Sequence, residues 1–145
     1  MIKVNNIGML NIAKNNPTVT SASEVSNYSF ITSGDNTYLV ANRGNGDFTY
    51  REGLTFAAGT KLNCYQVDAW KGQELIVDGK HISGGITSSI AVGTLLKVKS
   101  DGTLETTASA PTSGVYFKVT TIGIKLTESA VKVRVLVVDE VSSGT

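Results

Sequence analysis

Asp68, Glu74 and Asp78 cluster around Trp70, and no other part of the chain comes as close to a catalytic constellation. Two carboxylates facing a sugar can hydrolyse a glycosidic bond, and an indole ring beside them could stack on that sugar. Isolated acids at turns more commonly bond their own backbone. Trp70, followed by Lys71-Gly72, is either a lid on the core or an exposed anchor of the kind favoured in protein interfaces. The single cysteine, Cys64, would need a base to act as a nucleophile, and the single histidine, His81, is the only imidazole on offer. Lying between Asn63 and Tyr65 in an alternating run, Cys64 reads instead as a small buried hydrophobe. One Cys and one His also leave a zinc site short of ligands and exclude an internal disulfide. Asp35 and Asp47 stand in Asn/Gly-rich loops as calcium ligands often do, but without a repeated acidic spacing. The Gly44-Asn45-Gly46 run lacks the strand–turn–helix setting that a phosphate-binding loop requires, and reads as a hairpin tip. No catalytic residue, metal site or cofactor is predicted, and the chain is not expected to be an enzyme.

These residues must be positioned by strands. In Val131-Lys132-Val133-Arg134-Val135-Leu136-Val137-Val138, apolar and basic side chains alternate and then give way to an apolar run. Period-two alternation puts Lys132 and Arg134 on one face and Val131, Val133 and Val135 on the other. The closing run predicts that both faces are covered near the strand's end. If Val115–Val119 pairs with this strand, Lys118, Lys132 and Arg134 share one exposed, mildly basic face. A neighbouring copy or the chain's own N-terminal arm could cover the apolar end. Trp70, Lys132, Arg134 and Val137 are therefore the candidate protein-interface residues.

Charged residues make up 17% of the chain, below the usual quarter, and hydroxyl and amide side chains take their place. Such a surface suits a β-rich, loop-rich protein or one partly covered by neighbours. The net charge of +1, with 13 basic and 12 acidic residues spread along the chain, argues against nucleic acid, which needs a clustered basic face. Lys97, Lys99, Lys132 and Arg134 are the nearest approach to one. No apolar stretch is long enough for a membrane helix, and residues 1–10 lack the apolar core of a signal peptide, so synthesis in the cytoplasm is expected.

Punctuation along the chain predicts an all-β fold, a small barrel or sandwich of short antiparallel strands and hairpins with little or no helix. Residues 1–23, interrupted by Pro17, read as an extended arm or edge strand, and residues 24–145 as a single β domain. Strands are predicted at Tyr28–Thr32, Thr37–Ala41, Phe48–Tyr50, Lys61–Val67, Glu74–Val77, Leu95–Lys99, Thr103–Glu105, Val115–Val119 and Val131–Val138. Residues 51–60 allow at most a single turn. The Asp101-Gly102 pair between alternating runs predicts a type I′ hairpin turn. Residues 120–127 read as a link between the last two strands.

Four stretches resemble the head decoration (cement) proteins of tailed bacteriophages. They are Tyr38–Asn42 with Tyr50–Gly53, Ala58–Asn63, Ala69–Leu75, and Val92–Leu96 with Asp101-Gly102. The similarity spans most of the chain from about residue 28 and is one of strand order and glycine placement. It implies an all-β virion protein on the capsid exterior, bound to the major capsid protein and reinforcing contacts between shell subunits. It also implies self-association, often as a trimer, and carries over no catalytic residue. A tail or baseplate protein and a carbohydrate-binding β-sandwich using Trp70, Tyr65 and Asp68 are the alternatives. Neither nucleic acid nor membrane is an expected partner.

Overall fold

The computed structural model describes residues 2–4, 17–42, 53–125 and 129–138. Among them the chain runs through β1 (Ile2–Val4), β2 (Thr18–Thr20), β3 (Val25–Ser26), β4 (Phe30–Ser33), β5 (Asn36–Val40) and β6 (Thr55–Phe56). It continues through β7 (Lys61–Gln66), β8 (Glu74–Asp78), β9 (Leu95–Val98), β10 (Leu104–Thr107), β11 (Val115–Lys125) and β12 (Ser129–Val137). The only helical pieces among these residues are 3₁₀ turns at Val67–Trp70 and Gly79–His81. The fold is all-β, as the sequence predicts. β1-β8-β12-β11-β9-β10 form a six-stranded sheet, β2-β7-β5-β4 a four-stranded one, and β3-β6 a short ribbon. Every strand pairing is antiparallel, and the sheets curve into a half-barrel.

Alternation decides which side chains meet. Leu75, Val77, Leu96, Leu104, Val115, Phe117, Val119, Val131, Val133 and Val135 all point inward from the six-stranded sheet. They meet Phe30, Leu39 and Tyr65 from the four-stranded sheet. The rings of Phe30 and Phe117 lie 5.3 Å apart and tilted by 59°, a geometry that adds about 0.5–1.5 kcal/mol to the area they bury. The four-stranded sheet is apolar on its other face too. Val19, Val40, Leu62 and Cys64 form a second cluster there, closed by Val25 and Phe56 of the short ribbon.

The residues expected to form an N-terminal arm supply two sheet edges. Ile2–Val4 pairs along β8, with Ile2 opposite Val77, and Thr18–Thr20 pairs along β7. The expected strand at Phe48–Tyr50 and the Gly44-Asn45-Gly46 tip lie outside the described residues.

Four local expectations are corrected. Residues 51–60 hold more than a turn, since Thr55–Phe56 forms β6 and pairs with Val25–Ser26. β11 does not end at Val119. It continues to Lys125, with register shifts after Val119 and after Thr121 that absorb Gly123, whose φ is +78°. Tyr28 is not in a strand but in the left-handed region at φ +66°, held there as its N–H donates to the Val40 carbonyl at 2.8 Å. The turn at Asp101-Gly102 is not type I′, because only Gly102 has positive φ, at +91°. Ser100, Asp101 and Gly102 form a three-residue loop in which Gly102 N–H donates to Lys99 O, a type I turn with a glycine bulge. The Asp101 carboxylate fixes this form by accepting the Thr103 hydroxyl at 2.6 Å and the Thr103 N–H at 2.9 Å. The same two bonds hold its carboxyl below the usual pKa, so this local support fades as pH falls through that lowered value.

Side-chain amides extend the backbone ladder where β5 ends. Asn27, almost wholly buried, donates to Asn42 O at 2.7 Å and accepts from Asn42 N–H at 2.8 Å. Asn42 does the same for Asn63, at 2.8 and 2.9 Å. Each amide supplies one donor and one acceptor and so imitates a strand neighbour. Asn27→Asp keeps the size but removes the donor and sets a charge against the Asn42 carbonyl. It is expected to cost about 1–3 kcal/mol in urea unfolding, and no change in midpoint would refute the ladder's role.

The hairpin loop at Gly102 closes the half-barrel. Phe30 N–H donates to the Gly102 carbonyl at 2.8 Å, and a Cβ built on Gly102 would lie 2.9 Å from Ser29 Cβ. Gly102→Ala is expected to cost roughly 1–3 kcal/mol. Gly93→Ala, at φ +96° but with open space around the new Cβ, should cost less in the same thermal melts. Equal losses would refute the close-approach account.

Candidate functional site

The six-stranded sheet presents its second face to solvent, and register fixes what stands there. Arg134 on β12 lies opposite Glu74 on β8 and Lys118 on β11, and Lys118 in turn lies opposite Leu95 on β9. The adjoining row runs Leu136, Tyr116, Lys97, Glu105. Lys132, two residues before Arg134, shares the face and lies opposite Ile76. Lys118, Lys132 and Arg134 therefore do form one surface, with Lys118 and Arg134 well exposed.

Acidic groups on this face are turned to other partners. Glu74 Oε2 accepts the Thr120 hydroxyl at 2.7 Å, and Lys97 Nζ lies 3.8 Å from Glu105 Oε1. Lys99 is directed elsewhere: its Nζ donates to Ser83 Oγ at 3.1 Å and lies 3.9 Å from Asp101. Lys118, Lys132 and Arg134 make no ion pair among the described residues.

Trp70 and Val137, the other two interface candidates, belong to the inner side. Trp70 ends the 3₁₀ turn and packs half-buried on the main core, its ring 5.7 Å from that of buried Tyr65. Gln73 N–H donates to Trp70 O, and Gly72 N–H donates to Val135 O, so the turn is tied to β12. Val137 lies opposite Val115 and also packs on the core. The expected covering of both strand faces near Val138 is incomplete. Leu136, Val137 and Val138 are all only half-buried, and Leu136 stands beside Tyr116 on the outward face.

The three carboxylates around Trp70 do not converge. Asp68 Oδ1 accepts the Thr37 N–H at 2.8 Å and anchors the β4–β5 hairpin. Glu74 is on the outward face, and Asp78 is fully buried at the far end of the same strand. Four residues of strand separate them by roughly 13 Å, beyond the spacing of either glycosidase geometry. Cys64 and His81 are also apart. Cys64 sits in the second apolar cluster, whereas the His81 ring lies 5.7 Å from Tyr28 of the main core. Asp35 is exposed in the tight β4–β5 turn, and Asp47 lies outside the described residues. No group of three or more His, Cys, Asp or Glu is placed to hold a metal among the described residues. None of their helices is long and apolar enough to cross a membrane.

No protein-family model, curated protein or solved structure matches the chain. The candidate site thus rests on its own geometry. The Asn27–Asn42–Asn63 amides and the Glu74–Thr120 bond escaped the sequence reading, since each joins residues far apart in the chain. The shared face of Lys118, Lys132 and Arg134 was legible from alternation once β11 and β12 were paired, whereas the register that sets Lys118 opposite Arg134 was not.

Burial pushes the Cys64 thiol up to about 11. A thiol whose folded pKa is raised adds stability that is complete below its unfolded value, and loses it as pH rises through the folded one. Cys64 is therefore expected to resist a disulfide reagent at pH 8 until denaturant is added, and stability to decline from about pH 9 to 11. Rapid labelling of the native protein would contradict its enclosure.

Proposed function

We propose that this protein is a structural component of a tailed-phage virion that binds the outer surface of the capsid shell and stabilises it. The observation that carries the reading is the open outward face of the six-stranded sheet. It is a rigid surface of regularly spaced charged and half-exposed apolar side chains, on a fold in which Asp68, Glu74 and Asp101 accept internal hydrogen bonds and Asp78 and Cys64 are buried. Such a face suits a role performed by contact alone. A rigid body closing on a partner avoids ordering costs, and a standard interface buries about 1,600 Å² in all. Modest affinity per copy suffices where the partner surface repeats, above all if copies associate with one another. The likeness in strand order and glycine placement to head decoration proteins points the same way. The major capsid protein is the partner this reading requires.

The carbohydrate-binding alternative has less to support it, because Tyr65 is buried and Trp70 packs half-buried against it with the rings tilted by 31°. A tail or baseplate position would use the same face, and labelled particles viewed by electron microscopy separate the two sites. Expanded shells carrying the protein are expected to rupture at a higher temperature than bare shells. Identical rupture temperatures at saturating protein would overturn the proposal.

A further inference from the structure

The charge on the outward face is a local concentration, since the whole chain is nearly balanced at +1. Like charges directly opposite in adjacent strands destabilise a sheet, yet Arg134 and Lys118 hold that relation at its centre. Glu74, placed on the other side of Arg134, keeps its charge while accepting the Thr120 hydroxyl and offsets the repulsion only in part, since it makes no close ion pair with Arg134. The arrangement leaves three basic groups without an anionic partner in this chain's described residues.

We propose, resting on the shell-binding reading above, that the β11–β12 part of this face is the surface that meets the shell, and that it docks on a carboxylate-bearing patch of protein. Arg134 presents a planar fork suited to a bidentate carboxylate contact, flanked by the point charges of Lys118 and Lys132. In the next row, half-buried Tyr116 and Leu136 offer apolar area beside the charges; Tyr and Arg are enriched at protein interfaces, and the lysines suit their polar rim. The same face carries Glu74 and Glu105, which oppose a phosphate backbone but tolerate a mixed protein surface. A protein partner is therefore favoured over nucleic acid.

The test uses the full chain, expanded shells of the major capsid protein encoded with it, and Lys118→Glu, Lys132→Glu and the double variant Lys118→Glu/Arg134→Glu. In Lys118→Glu the new carboxylate faces Arg134, so the melting temperature should hold or rise while shell affinity falls at least about tenfold. Lys132→Glu, opposite the uncharged Ile76, should weaken binding with no change in melting. The double variant should bind least, and added salt should weaken the wild type more than the variants. Variants that stay folded and bind shells like the wild type would overturn the face assignment while leaving the function intact. A wild type that fails to bind shells at all would overturn both. Equal or tighter wild-type binding to duplex DNA, or self-association that disappears in the double variant, would give the face to another occupant and overturn the inference.

Discussion

Two sheets become one body where the Phe30 N–H meets the Gly102 carbonyl. The four-stranded sheet is apolar on both faces and cannot stand alone in water. One face is sealed by the short β3–β6 ribbon, and the other must lie on the six-stranded sheet. The Gly102 loop is the point at which the backbones of the two sheets touch, and it works because no Cβ intervenes. Once it is closed, Phe30 is held against Phe117 and the valines of β11 and β12 are enclosed. The outward face of those same strands is thereby rigid, since each outward side chain sits between inward ones locked in the core.

That rigidity gives the like-charge pairing its meaning. On a mobile loop, Lys118 and Arg134 could swing apart and relieve their repulsion. On adjacent, fully packed strands their backbones stay in register, and only the flexible ends of the side chains can separate. A fold that tolerates such an arrangement forgoes some stability of its own. Glu74, opposite Arg134, stays charged while it accepts from Thr120, and offsets that repulsion only in part.

Much of this was legible in the chain. The alternation from Val131 to Val135 placed Lys132 and Arg134 outward, and the turn residues at Ser33–Asn36 and Ser100–Gly102 marked both hairpins. What was not legible depends on partners distant in sequence. The Asp101-Gly102 pair announced a turn, but its type was decided by Thr103, whose hydroxyl and N–H hold Asp101. Gly123 read as part of a link because a single chain does not show that a partner will accept a bulge. Trp70 balanced between lid and anchor until Tyr65 and β12 were seen beside it. Leu136 read as covered because an apolar run ordinarily is, yet it stands half-buried beside Tyr116 on the outward face.

The central place of β12 also shapes how the molecule is made. β12 separates the β1–β8 side of the large sheet from the β11–β9–β10 side, and it pairs with both neighbours. Ile2 must find Val77, and Leu75 must find Val133, so the decisive pairings join remote parts of the chain. Topologies of this kind fold slowly, because loop-closure entropy is lost before distant contacts compensate. Until β12 emerges from the ribosome and inserts, β8 has no strand joining it to β11, and Val131, Val133 and Val135 are missing from the main core. Completion of the six-stranded sheet therefore waits on its last described strand, and before it arrives the edges of β8 and β11 that it will pair are open to wrong partners.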